Sequence, residues 1–69
     1  MMTGRITRLI DTQQVGSIAG DDGHEYVFSS GSLSGVAFHT LALGARVSFD
    51  PGAVLRGEAR ANSVRLITT

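Results

Sequence analysis

Four ionisable side chains crowd one short stretch of the chain: Asp21, Asp22, His24 and Glu25. Carboxylates and an imidazole at this spacing carry the donors of a metal site, but a coordination sphere draws on a second ligand cluster, and the sequence supplies none. The group is read as a polar turn, with no metal and no cofactor. Hydrolytic chemistry fares no better: the nearest approach to a nucleophile elbow is GSLSG at 31–35, with Leu33 where the serine must stand. A phosphate-cradling glycine loop ends in Lys followed by Ser or Thr, and this chain has no lysine at all. No enzyme is expected.

The other reactive side chains are arginines. The sequence has 6 basic and 6 acidic residues, a formal charge of +0, and a pI near 6.7, whereas a dedicated phosphate-backbone binder normally has a basic excess. Their distribution is uneven. Arg5 and Arg8 lie near the start, Arg56, Arg60 and Arg65 near the end, and the acids Asp21, Asp22 and Glu25 between them. Should the two ends pair side by side, a basic stripe would form on a neutral molecule.

Strands must position these groups. With 69 residues and no cysteine, one domain over 1–69 has to fold without disulfides or a thiolate metal site, and closing a sheet into a barrel buries one face of every strand. No apolar run approaches the roughly 20 residues that span a bilayer, and no basic-then-apolar leader opens the chain. A soluble, cytoplasmic protein with no membrane partner is expected. Alternation of Ile, Val, Thr and aromatic residues with polar ones predicts strands over 4–10, 15–19, 24–28, 45–49 and 58–67. Gly20, Asp21, Asp22 and Gly23 join the second and third strands as a tight hairpin, since Asp-Gly suits the positive φ of such a turn. Gly16, inside a strand, marks a bulge, a bend or a close approach. Residues 29–35 are a loop or a single short turn of helix pinned by Leu33, and 36–43 a connecting loop with Leu41 or Leu43 tucked inward. Pro51 and Gly52 are expected to end the fourth strand, because proline has no amide hydrogen for a ladder. The result is an all-β, five-stranded antiparallel barrel with no helix of any length.

The order and spacing of these features resemble the cold-shock domain, a five-stranded OB-fold barrel, over nearly the whole chain. Gly4, Ile6 and Leu9 match the family's opening strand. Its KGFGFI motif falls on Gln13, Gln14, Val15, Gly16, Ser17 and Ile18, and its VFVHF motif on Tyr26, Val27, Phe28, Ser29 and Ser30. Phe38, His39, Thr40 and Leu41 match FKTL, and residues 44–50 match GQxVxFE. Ala61 and Asn62 resemble the closing AANV, with Ser63 before Val64 predicting a small bulge.

The resemblance implies a platform on which outward rings stack on unpaired bases. Here those positions hold Val15, Ser17, Val27, Ser29 and Ser30, and the aromatic position of the first strand holds Arg8. Losing about five stacks at about 1 kcal/mol each moves a nanomolar binder into the micromolar range. Tyr26 and Phe28 are expected inside the barrel. Arg8 has two readings, a guanidinium that stacks or meets phosphate, or an ordinary solvated side chain; Phe38 has two as well, an exposed stacking ring or one that closes the barrel end. The candidate nucleic-acid-binding residues are Arg5, Arg8, Val15, Ser17, Val27, Ser29, Phe38 and Arg56. Two functions are in view: weak binding of single-stranded RNA or DNA, or a degenerate barrel that self-associates as a homodimer or binds a protein partner through its Val- and Ser-rich face.

Overall fold

Short runs of β-branched and aromatic residues between turn signals become five strands: β1 (Met2–Ile10), β2 (Val15–Gly20), β3 (Glu25–Ser29), β4 (Arg46–Leu55) and β5 (Glu58–Leu66). The computed structural model describes residues 1–55 and 58–67, without the side chains of 53–55 and 58. The strands close into a barrel in the order β1-β2-β3-β5-β4, an OB-like arrangement. The sheet is mixed, which corrects the all-antiparallel expectation: β3 and β5 run parallel, with Tyr26 facing Ala59 and Val27 facing Arg60. The other neighbouring pairs are antiparallel. After β3 the chain crosses the barrel end, and β4 then hairpins into β5, so β5 returns in the direction of β3.

The β2–β3 turn forms where the Asp-Gly pair places it. The Gly20 carbonyl accepts the Gly23 amide at 3.0 Å, and the His24 carbonyl accepts the Gly20 amide at 2.8 Å. Gly23 takes φ +88°, the left-handed value of the last residue in a three-residue hairpin loop. Gly16 marks a close approach. A Cβ there would lie 2.6 Å from the Arg8 carbonyl oxygen and 2.7 Å from the Phe28 ring, so only hydrogen at this position lets the ring settle across β2.

Two ladder irregularities decide which residues face out. In β1, Ile6 pairs with Ile18 but Arg8 pairs with Ser17, leaving Thr7 as an extra residue. Strict alternation would send Arg8 inward with Ile6; the bulge instead turns Arg8 out, and Leu9 packs on the core. In β5 the predicted bulge is present: Ser63 adopts φ +52°, and Ala61 and Val64 both point inward, 1% and 0% exposed.

β4 is longer than its sequence suggests. It runs through Pro51 and Gly52, which were expected to stop it, because the ladder is irregular there: Pro51 still pairs with Ala61, and the register shifts before Val54. A proline at a bulge leaves no ladder bond broken. The core comprises Ile6, Ile18, Tyr26, Phe28, Phe38, Leu41, Val47, Phe49, Ala61 and Val64. Tyr26 and Phe49 lie tilted with ring centroids 4.8 Å apart. Two 3-10 turns, Ser30–Ser32 and Phe38–Thr40, punctuate the crossing segment. The first turn was anticipated; the second replaces the expected loop. Leu41 is the inward leucine and Leu43 is 66% exposed. Leu33 bridges to Val64 as a lone parallel pair and packs against the core. Among the described residues no helix is long and apolar enough to cross a membrane.

Candidate nucleic-acid interface

The register lays the outward residues of β1, β2, β3 and β5 in rows. One row reads Arg8, Ser17, Val27, Arg60. Above it stand Ile10, Val15 and Ser29, and below it Arg46, Arg5, Ala19 and Glu25. The middle row sets two exposed guanidinium groups on either side of a floor made of one hydroxymethyl and one half-buried valine. Neither Arg8 nor Arg60 is ion-paired among the described residues.

Six of the sequence-predicted residues, Arg5, Arg8, Val15, Ser17, Val27 and Ser29, take outward positions on this face. Val15 and Val27 are diagonal neighbours, each directly opposite a serine: Val15 faces Ser29 and Ser17 faces Val27. Ser17 needs correction as a solvent-facing contact. It occupies an outward position but is 9% exposed, because it sits between Arg8 and Val27 on adjacent strands, and its carbonyl oxygen lies 3.5 Å from the Thr7 hydroxyl. Phe38 is corrected outright as an exposed stacking ring: it is 5% exposed and closes the barrel end, its centroid 6.3 Å from that of Phe28. Arg56 lies outside the described residues. Arg60 was missing from the predicted set. Its signal was the arginine-rich C-terminal third, but its place beside Val27 follows from the parallel β3–β5 pairing, which no local pattern announces.

With Phe38 inside, every Phe and Tyr ring of the chain is buried: Tyr26 6%, Phe28 0%, Phe38 5% and Phe49 1% exposed. The chain has no Trp, and its imidazoles, His24 and His39, lie outside the five strands. The platform has no ring on which a base can stack.

The acidic hairpin tip folds back on the barrel. The Asp21 amide donates to the Thr3 carbonyl at 2.9 Å, and its carboxylate accepts from the Thr3 hydroxyl and from Arg46, Nη2 to Oδ2 at 3.3 Å. The Thr3 hydroxyl above all, and the Arg46 charge with it, hold the Asp21 carboxyl below its ordinary value of 3.8, against a smaller opposing effect of desolvation. Asp22 accepts the Tyr26 hydroxyl at 2.6 Å and the His24 amide at 3.0 Å. The phenol, then the amide, lower the Asp22 carboxyl; in return Asp22 raises the Tyr26 phenol above 10.0. Both aspartates are thus engaged in fastening the hairpin, and Arg46, beside Arg5 across the β1–β4 ladder, is neutralised by Asp21. A scan against protein-family models matches none, and a search of curated proteins finds no match.

Proposed function

We propose that this barrel binds single-stranded RNA or DNA weakly, as a cold-shock-like protein of the cytoplasm, on the outer face of β1, β2, β3 and β5. The observation that carries the reading is the row Arg8, Ser17, Val27, Arg60: two exposed arginines, neither ion-paired among the described residues, flank a low floor. Guanidinium groups suit phosphate because their planar fork meets two oxygens at once. The OB-like strand order and the resemblance of residues 4–66 to the cold-shock domain add to it. The net charge of +0 and the absence of exposed Phe or Tyr keep the affinity low, in the range of about 1 to 100 µM typical of non-specific contacts. Anisotropy titration of a labelled oligonucleotide at low salt tests it. Saturable binding with a dissociation constant below about 100 µM is expected, and a flat titration overturns the proposal.

A second reading has its own observation. Ile10 and Val15 pair across β1 and β2, with Val27 diagonal to Val15, all only partly covered. On a molecule without net charge this apolar strip suits a second copy or a protein partner. Sedimentation over a range of concentrations separates the two: a dimer indifferent to oligonucleotides favours the second, and a monomer that binds them the first.

A further inference from the structure

We infer that the outer face reads the sugar–phosphate chain of its ligand and not the bases, a conclusion that rests on the nucleic-acid reading above. Base recognition by a sheet needs a ring to stack against or a tall side chain to reach a base edge. The floor offers neither. Between Arg8 and Arg60 stand Ser17, 9% exposed, and the half-buried Val27, and all four Phe and Tyr rings are spent on the core. What remains at the rims is charge. Arg8 and Arg60 are separated by three strand-to-strand steps of roughly 4.8 Å, on the order of 14 Å along the sheet, a span of a few nucleotides. A flexible phosphodiester strand laid across β1, β2, β3 and β5 reaches both guanidinium groups at once, and the low floor lets its backbone lie close to the sheet.

The chemical class of the ligand is therefore a flexible, single-stranded phosphodiester polyanion, recognised without regard to sequence. Two phosphates held by two arginines give a logarithmic salt slope of about −1.4. Where bases stack, removing each stacked base weakens binding about fivefold or more.

The test compares labelled oligo(dT) with an abasic oligomer of the same length, at low salt, on the folded wild-type protein and on the variants Arg8→Ala, Arg60→Ala and Arg65→Ala. Arg65 is an exposed arginine of β5 outside the row, opposite Ser48 of β4. Equal affinity for the two oligomers is expected, with Arg8→Ala and Arg60→Ala each weakening both several-fold and Arg65→Ala leaving both unchanged. If oligo(dT) binds and the abasic oligomer does so at least about fivefold more weakly, the bases are being read and the inference fails while the nucleic-acid function stands. Binding of neither oligomer removes both. An Arg65→Ala effect as large as that of Arg8→Ala overturns the location on the Arg8–Arg60 row.

Discussion

The Tyr26 hydroxyl donates to the Asp22 carboxylate at 2.6 Å, tying a residue whose ring lies against Phe49 in the core to the tip of the β2–β3 hairpin. The bond favours protonated Tyr26 and ionised Asp22. The Asp22 carboxyl is lowered, so its stabilisation is complete above the ordinary value of 3.8 and is lost as pH falls through the folded value. The Tyr26 phenol is raised, so its stabilisation is complete below 10.0 and is lost as pH rises through the folded value. Thermal unfolding followed by circular dichroism across pH should give a plateau between these limits. Tyr26→Phe lowers the plateau and removes the contribution of this pair from the alkaline fall; an alkaline limb unchanged in Tyr26→Phe would contradict the assignment.

Gly16→Ala should be severe. The new methyl meets the Arg8 carbonyl at 2.6 Å and the Phe28 ring at 2.7 Å, and neither backbone nor a fully buried ring can yield cheaply. Overpacking of this kind costs about 1 to 3 kcal/mol and occasionally more, a large fraction of the few kcal/mol available to so small a domain. Urea denaturation monitored by tyrosine fluorescence measures it, and a midpoint equal to that of the wild type would disprove the close approach.

Phe38 separates a core role from a binding role. Phe38→Ala should destabilise by about 3 to 5 kcal/mol, whereas Phe38→Leu keeps most of the apolar volume and should leave a folded barrel with unchanged oligonucleotide affinity. A folded Phe38→Leu protein that bound several-fold more weakly would restore the ring to the interface.

Asp21→Asn frees Arg46 from its 3.3 Å ion pair and removes a negative charge near Arg5. Oligonucleotide affinity at low salt should rise, and the salt slope should steepen by about 0.7 for each further phosphate engaged. The same titrations at several salt concentrations measure both. Equal or weaker binding by the folded variant would place the ligand away from this edge.

Ser63 holds φ +52° without being glycine. Ser63→Gly relieves a left-handed penalty of about 1 to 2 kcal/mol but gives back about 0.5 to 1 kcal/mol in the entropy of the unfolded chain. A net gain of up to about 1.5 kcal/mol in chemical denaturation is expected from the difference of those two terms.

Local alternation carried much of the fold into view. Tyr26 and Phe28, or Val47 and Phe49, lie two apart on regular strands, and their inward faces were legible from that spacing alone. The bulge at Ser63 was legible because an apolar residue arrives one position late. Three features were not. Pro51 reads as a stop, and only the register shift between β4 and β5 makes room for it. Phe38 sits in a connector, where no period assigns a face, so burial depends on the barrel end it happens to plug. Arg60 joins Arg8 only through parallel pairing of strands distant in sequence. The candidate site was therefore half legible: its β1–β3 residues follow from the hairpins, while its second arginine depends on how the barrel closes.

The extra residue in β1 makes this one position of the strand indifferent to chain length. Deleting Thr7 would close the bulge and leave Ile6 inward, Arg8 outward and Leu9 inward, opposite Ile18, Ser17 and Gly16 as before. A lineage of such barrels can thus gain or lose one residue here by a single-codon insertion or deletion while Arg8 stays on the surface, a step that a comparison by substitutions alone would never register.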